Sequence, residues 1–428
     1  MIRTAPDAAA RWAPALQRLA VLAAALGLAC NGDEPTQPTQ PTSTAATKAT
    51  ATATASASAP LPADAGASKI PLPPGELVLA GAYDDLPDPE APLTAKELPI
   101  YRIEQRLDDG KGVFEGAVTI EYPNHTGGPL AELPLLIHPN ASRELGVAPA
   151  RSGGLSVKRI VRHTGGTREG TQVVVFTQER PTLVVAQLEP PVPTKELARL
   201  TVHYEGQLRR LGPGANDLFA QALGSMGMVT AGAGAADYGL VAVGDGILTA
   251  ASAYPMVAPF RDGAFDTGEP LRFGDLAYNQ PARFEVRTIV PAGLEVVTNL
   301  VDGATGTLAP GWEVTPSAGS FVRDFVLVAG RDLSRSSRHH GKTRVTSVYR
   351  KRDEEAGKRV LEAAVASLAC FEKHFGPYPY AELDVVEASL VGGAGGVEFS
   401  TMVLIAGMLY RDPADSLHPI ALLLQLTG

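Results

Sequence analysis

Val113-Phe114-Glu115-Gly116-Ala117-Val118-Thr119-Ile120-Glu121 has a period of two. Phe114, Gly116, Val118 and Ile120 fall on one side, and Glu115, Thr119 and Glu121 on the other, as in a strand with one buried face. The same reading extends outward to Ile100–Ile103, Leu133–His138, Val157–Val161, Val173–Thr177, Leu183–Leu188 and Leu200–Tyr204, then to Phe284–Val290 and Phe321–Val328. Turn-forming groups separate the earlier runs: Asp108-Asp109-Gly110, Asn124-His125-Thr126-Gly127-Gly128, Ser152-Gly153-Gly154 and Gly165-Gly166. Many short strands at this spacing predict a saddle or sandwich of antiparallel sheets over residues 73–334. The Gly- and Ala-rich stretch 206–250 predicts a long loop. No internal repeat is present.

Composition agrees. The 428 residues include 44 Gly and 35 Pro but only 19% charged residues, which suits strands and turns better than long helices. An apolar content of 45% supports a real core. With 37 basic and 46 acidic residues the net charge is −9, which argues against a nucleic-acid partner. Two cysteines, Cys30 and Cys370, exclude a disulfide framework and a cysteine-based zinc finger. No apolar run is long enough to span a bilayer by the usual length rule.

Residues 1–29 have the layout of a secretory signal: Arg3, Arg11 and Arg18, then an uncharged apolar run from Leu19 to Ala29. Leu26-Gly27-Leu28-Ala29-Cys30 resembles a bacterial lipoprotein box, in which the cysteine is lipidated and becomes the new N-terminus; Gly27 stands where Leu is usual. An ordinary signal peptide with an incidental cysteine is the alternative. Residues 30–72, rich in Thr, Ala, Pro, Gln and Ser, bury too little apolar surface to offset their ordering entropy and suit a tether. The expected setting is the cell envelope, reached across the inner membrane, with the chain held by a lipid anchor at Cys30.

The character changes near residue 335. Asp353–Phe375 carries Val360, Leu361, Ala364, Val365, Leu368, Ala369 and Phe371 at helical steps, and Gly376-Pro377 stops it. Cys370 falls within this pattern and is expected to be a buried structural thiol. Leu383–Val386 and Met402–Ile405 read as strands, so helix and sheet alternate over residues 335–428. His339-His340 lies in a basic, loop-like stretch and is expected to face solvent.

Phe375-Gly376-Pro377-Tyr378-Pro379-Tyr380, followed by Gly395-Gly396-Val397-Glu398-Phe399, resembles the gluzincin zinc aminopeptidases, peptidase family M1. Tyr101, Phe114-Glu115-Gly116, Tyr122-Pro123-Asn124, Tyr254-Pro255 and Val322-Arg323-Asp324-Phe325 fit the same order, over residues 95–428. The resemblance implies an α+β fold: the β domain followed by the incomplete start of a thermolysin-like α/β catalytic domain. It also implies that Gly395, Gly396, Val397, Glu398 and Phe399 form an edge strand over the substrate. There Glu398 takes the free amino group of a peptide, and the glycines let the substrate backbone approach. Val397 replaces the family's Met, and Phe399 its Asn or Tyr, which removes a polar contact. A carboxylate is the natural partner for an α-ammonium.

Zinc is the family's cofactor, held by a helical His-Glu-x-x-His and a later Glu. Neither is present. The eight histidines are His125, His138, His163, His203, His339, His340, His374 and His418, and no two stand four apart. Leu417-His418-Pro419 and the apolar run to Leu426 resemble the approach to the first zinc ligand, with Gln425 near its position; the chain reads as cut off or frameshifted there. No nucleophile elbow, phosphate loop or dinucleotide fingerprint is found. Two functions compete. One is a surface-anchored zinc aminopeptidase, if the full-length product carries the zinc motif, the chain as given being inactive. The other is a non-catalytic peptide-binding or scaffold lipoprotein, or a gene fragment.

Overall fold

A computed structural model describes residues 98–146, 153–164, 170–212, 215, 238–271 and 278–411. The signal-like segment, Cys30, the tether, most of the expected loop at 206–250, and the His418–Gln425 run lie outside the described residues.

Burial of one face in each alternating run builds the first layer. Phe114, Val118 and Ile120 are buried while Glu115 is exposed. Their strand, Val113–Pro123, pairs with Ile100–Asp108 and Leu197–Gln207 at the centre of a nine-stranded sheet. Gly154–Thr164 and Gly170–Val174 extend it on one side; Ala282–Pro291, Trp312–Val322 and Val301–Asp302 extend it on the other. Antiparallel pairing dominates, but Ile100–Asp108 runs parallel to Ala282–Pro291, which corrects the purely antiparallel expectation. The chain covers 173 residues between those two strands, long enough for a parallel return. A four-stranded sheet closes over this face through Leu130–Leu136 and Leu183–Val192.

Aromatic side chains fix the middle of that core. Tyr101 stacks on Phe284 at 5.1 Å, and Tyr254 meets both edge-on at 6.0 and 5.9 Å. Both buried hydroxyls are partnered: Tyr101 Oη accepts from the Val257 amide at 3.1 Å and Tyr254 Oη from the Phe325 amide at 3.0 Å. This last bond explains a departure from the sequence reading. Phe321–Val328 is not one strand. Trp312–Val322 ends in the nine-stranded sheet, and Val326–Gly330 starts in a five-stranded sheet, with Arg323-Asp324-Phe325 turning between them. Asn279 Nδ2 donates to Asp324 Oδ1 at 2.5 Å, and these side-chain bonds outweigh the strand propensity of the run.

The expected loop over 206–250 also needs correction where it is described. Val241–Gly244 and Ile247–Ala251 form a hairpin, and Ile247–Ala251 is buried throughout against Val326–Gly330. Its turn, Asp245-Gly246, has positive φ at both residues, the geometry of a tight two-residue hairpin.

The last described sheet runs in the order Leu333–His340, Thr343–Arg350, Glu382–Ala388, Met402–Ala406, Gly396–Phe399. Its three middle strands are parallel. One face packs Val386, Ala388, Met402 and Leu404 against Ile247, Val297 and Val328 of the five-stranded sheet. The other packs Val345, Val385, Val403 and Ile405 under the helix Glu354–Phe375. His339 and His340 end a strand in a hairpin rather than a loop, and His340 is half-buried against Glu372.

The helix ends as expected, at Gly376 with φ of 91°. Its buried stripe is Ala356, Gly357, Val360, Leu361, Ala363, Ala364, Ser367 and Leu368. Cys370 is exposed, which overturns the buried-thiol expectation. Two residues past Leu368 is about 200° around a helix, on the far side from the sheet. Gly357 is where helix and sheet come closest: a Cβ there would sit 2.0 Å from Cδ1 of buried Tyr349. Gly357→Ala is therefore expected to destabilise by about 1–3 kcal/mol through overpacking, although helix propensity alone would favour Ala. A urea titration showing unchanged or increased stability would remove the tight contact from the account.

Candidate functional site

The loop after Glu382–Ala388 is shaped by Gly392 and Gly393, at φ of 70° and 82°, conformations that a side chain resists. The chain then turns back. Ala406 donates its amide to the Gly395 carbonyl at 2.9 Å, and Gly396–Phe399 pairs antiparallel with Met402–Ala406. The tight turn Ser400-Thr401, with Thr401 at φ of 66°, is tied to the body of the protein. Thr401 Oγ1 donates to the Asn299 carbonyl at 2.6 Å, and Asn299 Nδ2 donates to the Ser400 carbonyl at 3.1 Å. Gly396–Phe399 stands last in the sheet, so its outer edge carries no strand among the described residues.

Register decides where each side chain goes. Glu398 is opposite Val403, and Val403 opposite Val385. Val385 and Val403 face the helix, so Glu398 lies on the helix side at the open edge, and it is exposed. Val397 and Phe399 alternate to the other side and pack on the Met402–Leu404 core. Of the five residues singled out from the sequence, Val397 and Phe399 pack on the core and Glu398 is exposed at the edge, after the Gly395-Gly396 pair.

Beside this edge, on the helix face, lies a cleft of about 360 Å³. Leu368, Phe371, Phe375, Tyr378, Tyr380 and Val403 form much of its wall. Phe375 is 74% exposed at its rim. The Phe375–Tyr380 run is held in place by Glu372, whose Oε1 accepts the Tyr378 amide at 3.0 Å while Oε2 pairs with His340 Nε2 at 2.8 Å. Tyr380 Oη donates to the Phe321 carbonyl at 2.8 Å, linking the cleft to the large sheet. The His340–Glu372 pair joins residues 32 apart and gave no signal in the sequence.

Two further groups were missed. Asp302 and Asp384 approach each other where the last sheet meets the Val301–Asp302 strand. Burial pushes Asp384 up to about 7, helped by the charges of Glu382 and Asp302. Burial pushes Asp302 up to about 6, against hydrogen bonds from Thr298 and Ser317. The alternation of Leu383-Asp384-Val385 was the available signal, since it places a carboxylate on a face that the sheet buries.

Zinc does not fit the residues in view. Among the described residues no three of His, Cys, Asp and Glu are grouped to hold a metal ion. Three of the histidines are engaged elsewhere: His138 Nε2 lies 3.2 Å from Asn279 Oδ1, His163 Nε2 2.8 Å from Thr201 Oγ1, and His340 Nε2 2.8 Å from Glu372 Oε2. No helix among the described residues is long and apolar enough to cross a membrane.

Comparison with protein-family models and with curated proteins returns no match. Solved structures do show likeness. An M1 zinc metallopeptidase from Deinococcus radiodurans, solved as a mutant bound to a Tyr-Ser-Ala substrate, is 15% identical. The match covers 72% of this chain and 60% of that one, with a TM-score of 0.43. The structure of the same organism's M1 zinc metallopeptidase without the mutation is 14% identical, with coverage of 74% and 61% and a TM-score of 0.44. A two-domain M1 zinc metallopeptidase mutant bound to L-tryptophan is 16% identical, with coverage of 76% and 63% and a TM-score of 0.45. The chain spans about three fifths of the length of these structures.

Proposed function

We propose that the Gly395–Phe399 edge recognises the free N-terminus of a peptide, as the substrate-binding part of a zinc-aminopeptidase-type hydrolase. One observation carries this reading: an exposed carboxylate, Glu398, on a short strand whose outer edge bears no strand among the described residues. An extended peptide adds to such an edge through its backbone, and the carboxylate takes its ammonium group. The Gly395-Gly396 pair lets the two backbones meet without side-chain interference. The adjoining apolar cleft gives the N-terminal side chain somewhere to go. Hydrolysis would require the His-Glu-x-x-His pair and the further Glu of that class, and the 428 residues contain no such motif; no chemical step is assigned to the residues in view. The lipid anchor at Cys30, the envelope location and a division between a β domain and a partial catalytic domain at 334/335 belong to the same reading.

Titration of a short peptide with a free N-terminus, and of its N-acetylated form, tests it. The free peptide is expected to bind at least about tenfold more tightly, the value of one charge-assisted contact. Glu398→Ala is expected to remove that difference while changing the unfolding free energy by less than about 1 kcal/mol, as for an exposed side chain. Equal binding of both forms by the native chain ends the proposal. The purified 428-residue chain is expected to show no chelator-sensitive release of N-terminal residues; turnover would mean that ligands come from positions outside the motif.

A further inference from the structure

Across four neighbouring strands of the nine-stranded sheet, Thr288 stands opposite Gln105, Gln105 opposite Gly116, and Gly116 opposite Tyr204. The row faces the large apolar core, flanked on one side by Val286, Ile103, Val118 and Val202 and on the other by Leu107 and Phe114. Thr288, Gln105 and Tyr204 are 0%, 1% and 2% exposed. Among the described residues, Thr288 Oγ1, Gln105 Oε1 and Tyr204 Oη each meet no hydrogen-bond partner in the protein. Three such atoms in one row are unlike the rest of this core, where Tyr101 and Tyr254 both find backbone amides.

Gly116 is what leaves room for the Tyr204 phenol in this row. A Cβ there would lie 2.8 Å from Tyr204 Oη and 2.7 Å from the Glu104 carbonyl oxygen. The phenol therefore lies over Gly116 with its oxygen toward the Ile100–Asp108 strand, next to Gln105. Burial raises the Tyr204 phenol far above its ordinary value, so it stays a neutral donor at any working pH.

We propose that Gln105, Thr288 and Tyr204 form an internal site for water, one molecule or a pair, inside the core of the large sheet. The chemistry selects water over an ion. The row offers a hydroxyl donor, an amide oxygen acceptor and a hydroxyl that serves as either, and its neighbours on the same sheet face, Ile103, Phe114, Val118, Val202 and Val286, are apolar. Water donates to Gln105 Oε1, accepts from Tyr204, and completes its set at Thr288, matching the two to four polar contacts that buried waters make. The site ties the strands Ala282–Pro291, Ile100–Asp108 and Leu197–Gln207 together through shared solvent.

A high-resolution crystal structure of the full chain is expected to show ordered water within hydrogen-bond distance of at least two of the three atoms. Urea unfolding supplies the second readout. Tyr204→Phe and Thr288→Val each strand the remaining groups and are expected to raise the unfolding constant about tenfold. The triple variant Gln105→Met, Tyr204→Phe, Thr288→Val removes every polar partner and is expected to stay within about tenfold of the native chain, well short of the roughly thousandfold that independent losses would give. Dry density at the row, additive losses, or single variants indistinguishable from the native chain would each overturn the proposal.

Discussion

Glu387→Ala is expected to destabilise the chain by about 2–3 kcal/mol, because it removes the fully buried partner of Arg350 and leaves the cation to Asp245 and Asp353 alone. Glu387 is 0% exposed and Arg350 4%. Glu387 Oε1 accepts from Arg350 Nε at 2.7 Å, and Oε2 accepts the Arg350 backbone amide at 2.9 Å. The guanidinium also donates to the Asp245 carbonyl at 2.8 Å, so one cation binds the Asp245-Gly246 hairpin turn to the last sheet. Ser389 Oγ donates to the Gly244 carbonyl at 2.8 Å and reinforces the same junction. Burial pushes the Glu387 carboxyl upward, against the pull of Arg350, so its charge is held by that pairing. Replacing both partners, Arg350→Met with Glu387→Met, is expected to recover part of the loss, since a matched apolar pair avoids the desolvation cost while Arg352 still pairs Asp245 and Asp353. Urea unfolding of the three chains decides: a Glu387→Ala loss below about 1 kcal/mol would place the pair among surface-like salt bridges.

Much of this architecture was legible because short-range patterning and burial agree. Phe114, Val118 and Ile120 alternate and are buried; the helical stripe of Val360, Leu361, Ala364 and Leu368 lies on the sheet. The edge strand Gly396–Phe399 was expected only through the family resemblance of its motif, since its glycines alone read as a turn. What stayed hidden was set by contacts between distant residues. The break at Arg323-Asp324-Phe325 depends on Tyr254 and Asn279, 71 and 45 residues away. Cys370 shares its stretch with apolar residues, but helical phase, not neighbourhood, sets burial. The cleft needs Phe371 and Tyr380 on different elements to meet, which neither segment announces.

Raising the pH from about 4 to about 8 is expected to weaken the folded state, the reverse of ordinary carboxylate behaviour. The cause is the Asp302–Asp384 pair. Asp384 is pushed up to about 7, first by burial and then by the charges of Glu382 and Asp302. Asp302 is pushed up to about 6 by burial, although Thr298 Oγ1 and Ser317 Oγ donate to its Oδ1 at 2.6 and 2.7 Å. The nearby cations give limited relief because each is engaged with another carboxylate: Arg335 Nε with Glu295 at 2.6 Å and Arg344 Nη2 with Glu382 at 2.6 Å. An unfolded aspartate titrates near about 3.9. Between that value and the folded one, the folded chain keeps a proton that the unfolded chain has released. The stabilisation is therefore complete below about pH 4 and is lost as pH rises through the folded values. Three pK units correspond to about 4 kcal/mol. Asp384 keeps partial solvent contact, and the two carboxylates titrate as a pair, so about 2 kcal/mol is expected. Asp384→Asn keeps the shape and cannot ionise; it is expected to flatten the decline and to exceed the native chain in stability at about pH 8. Unfolding midpoints that rise with pH equally in both chains would show that the two carboxylates are ionised and accommodated in the folded state.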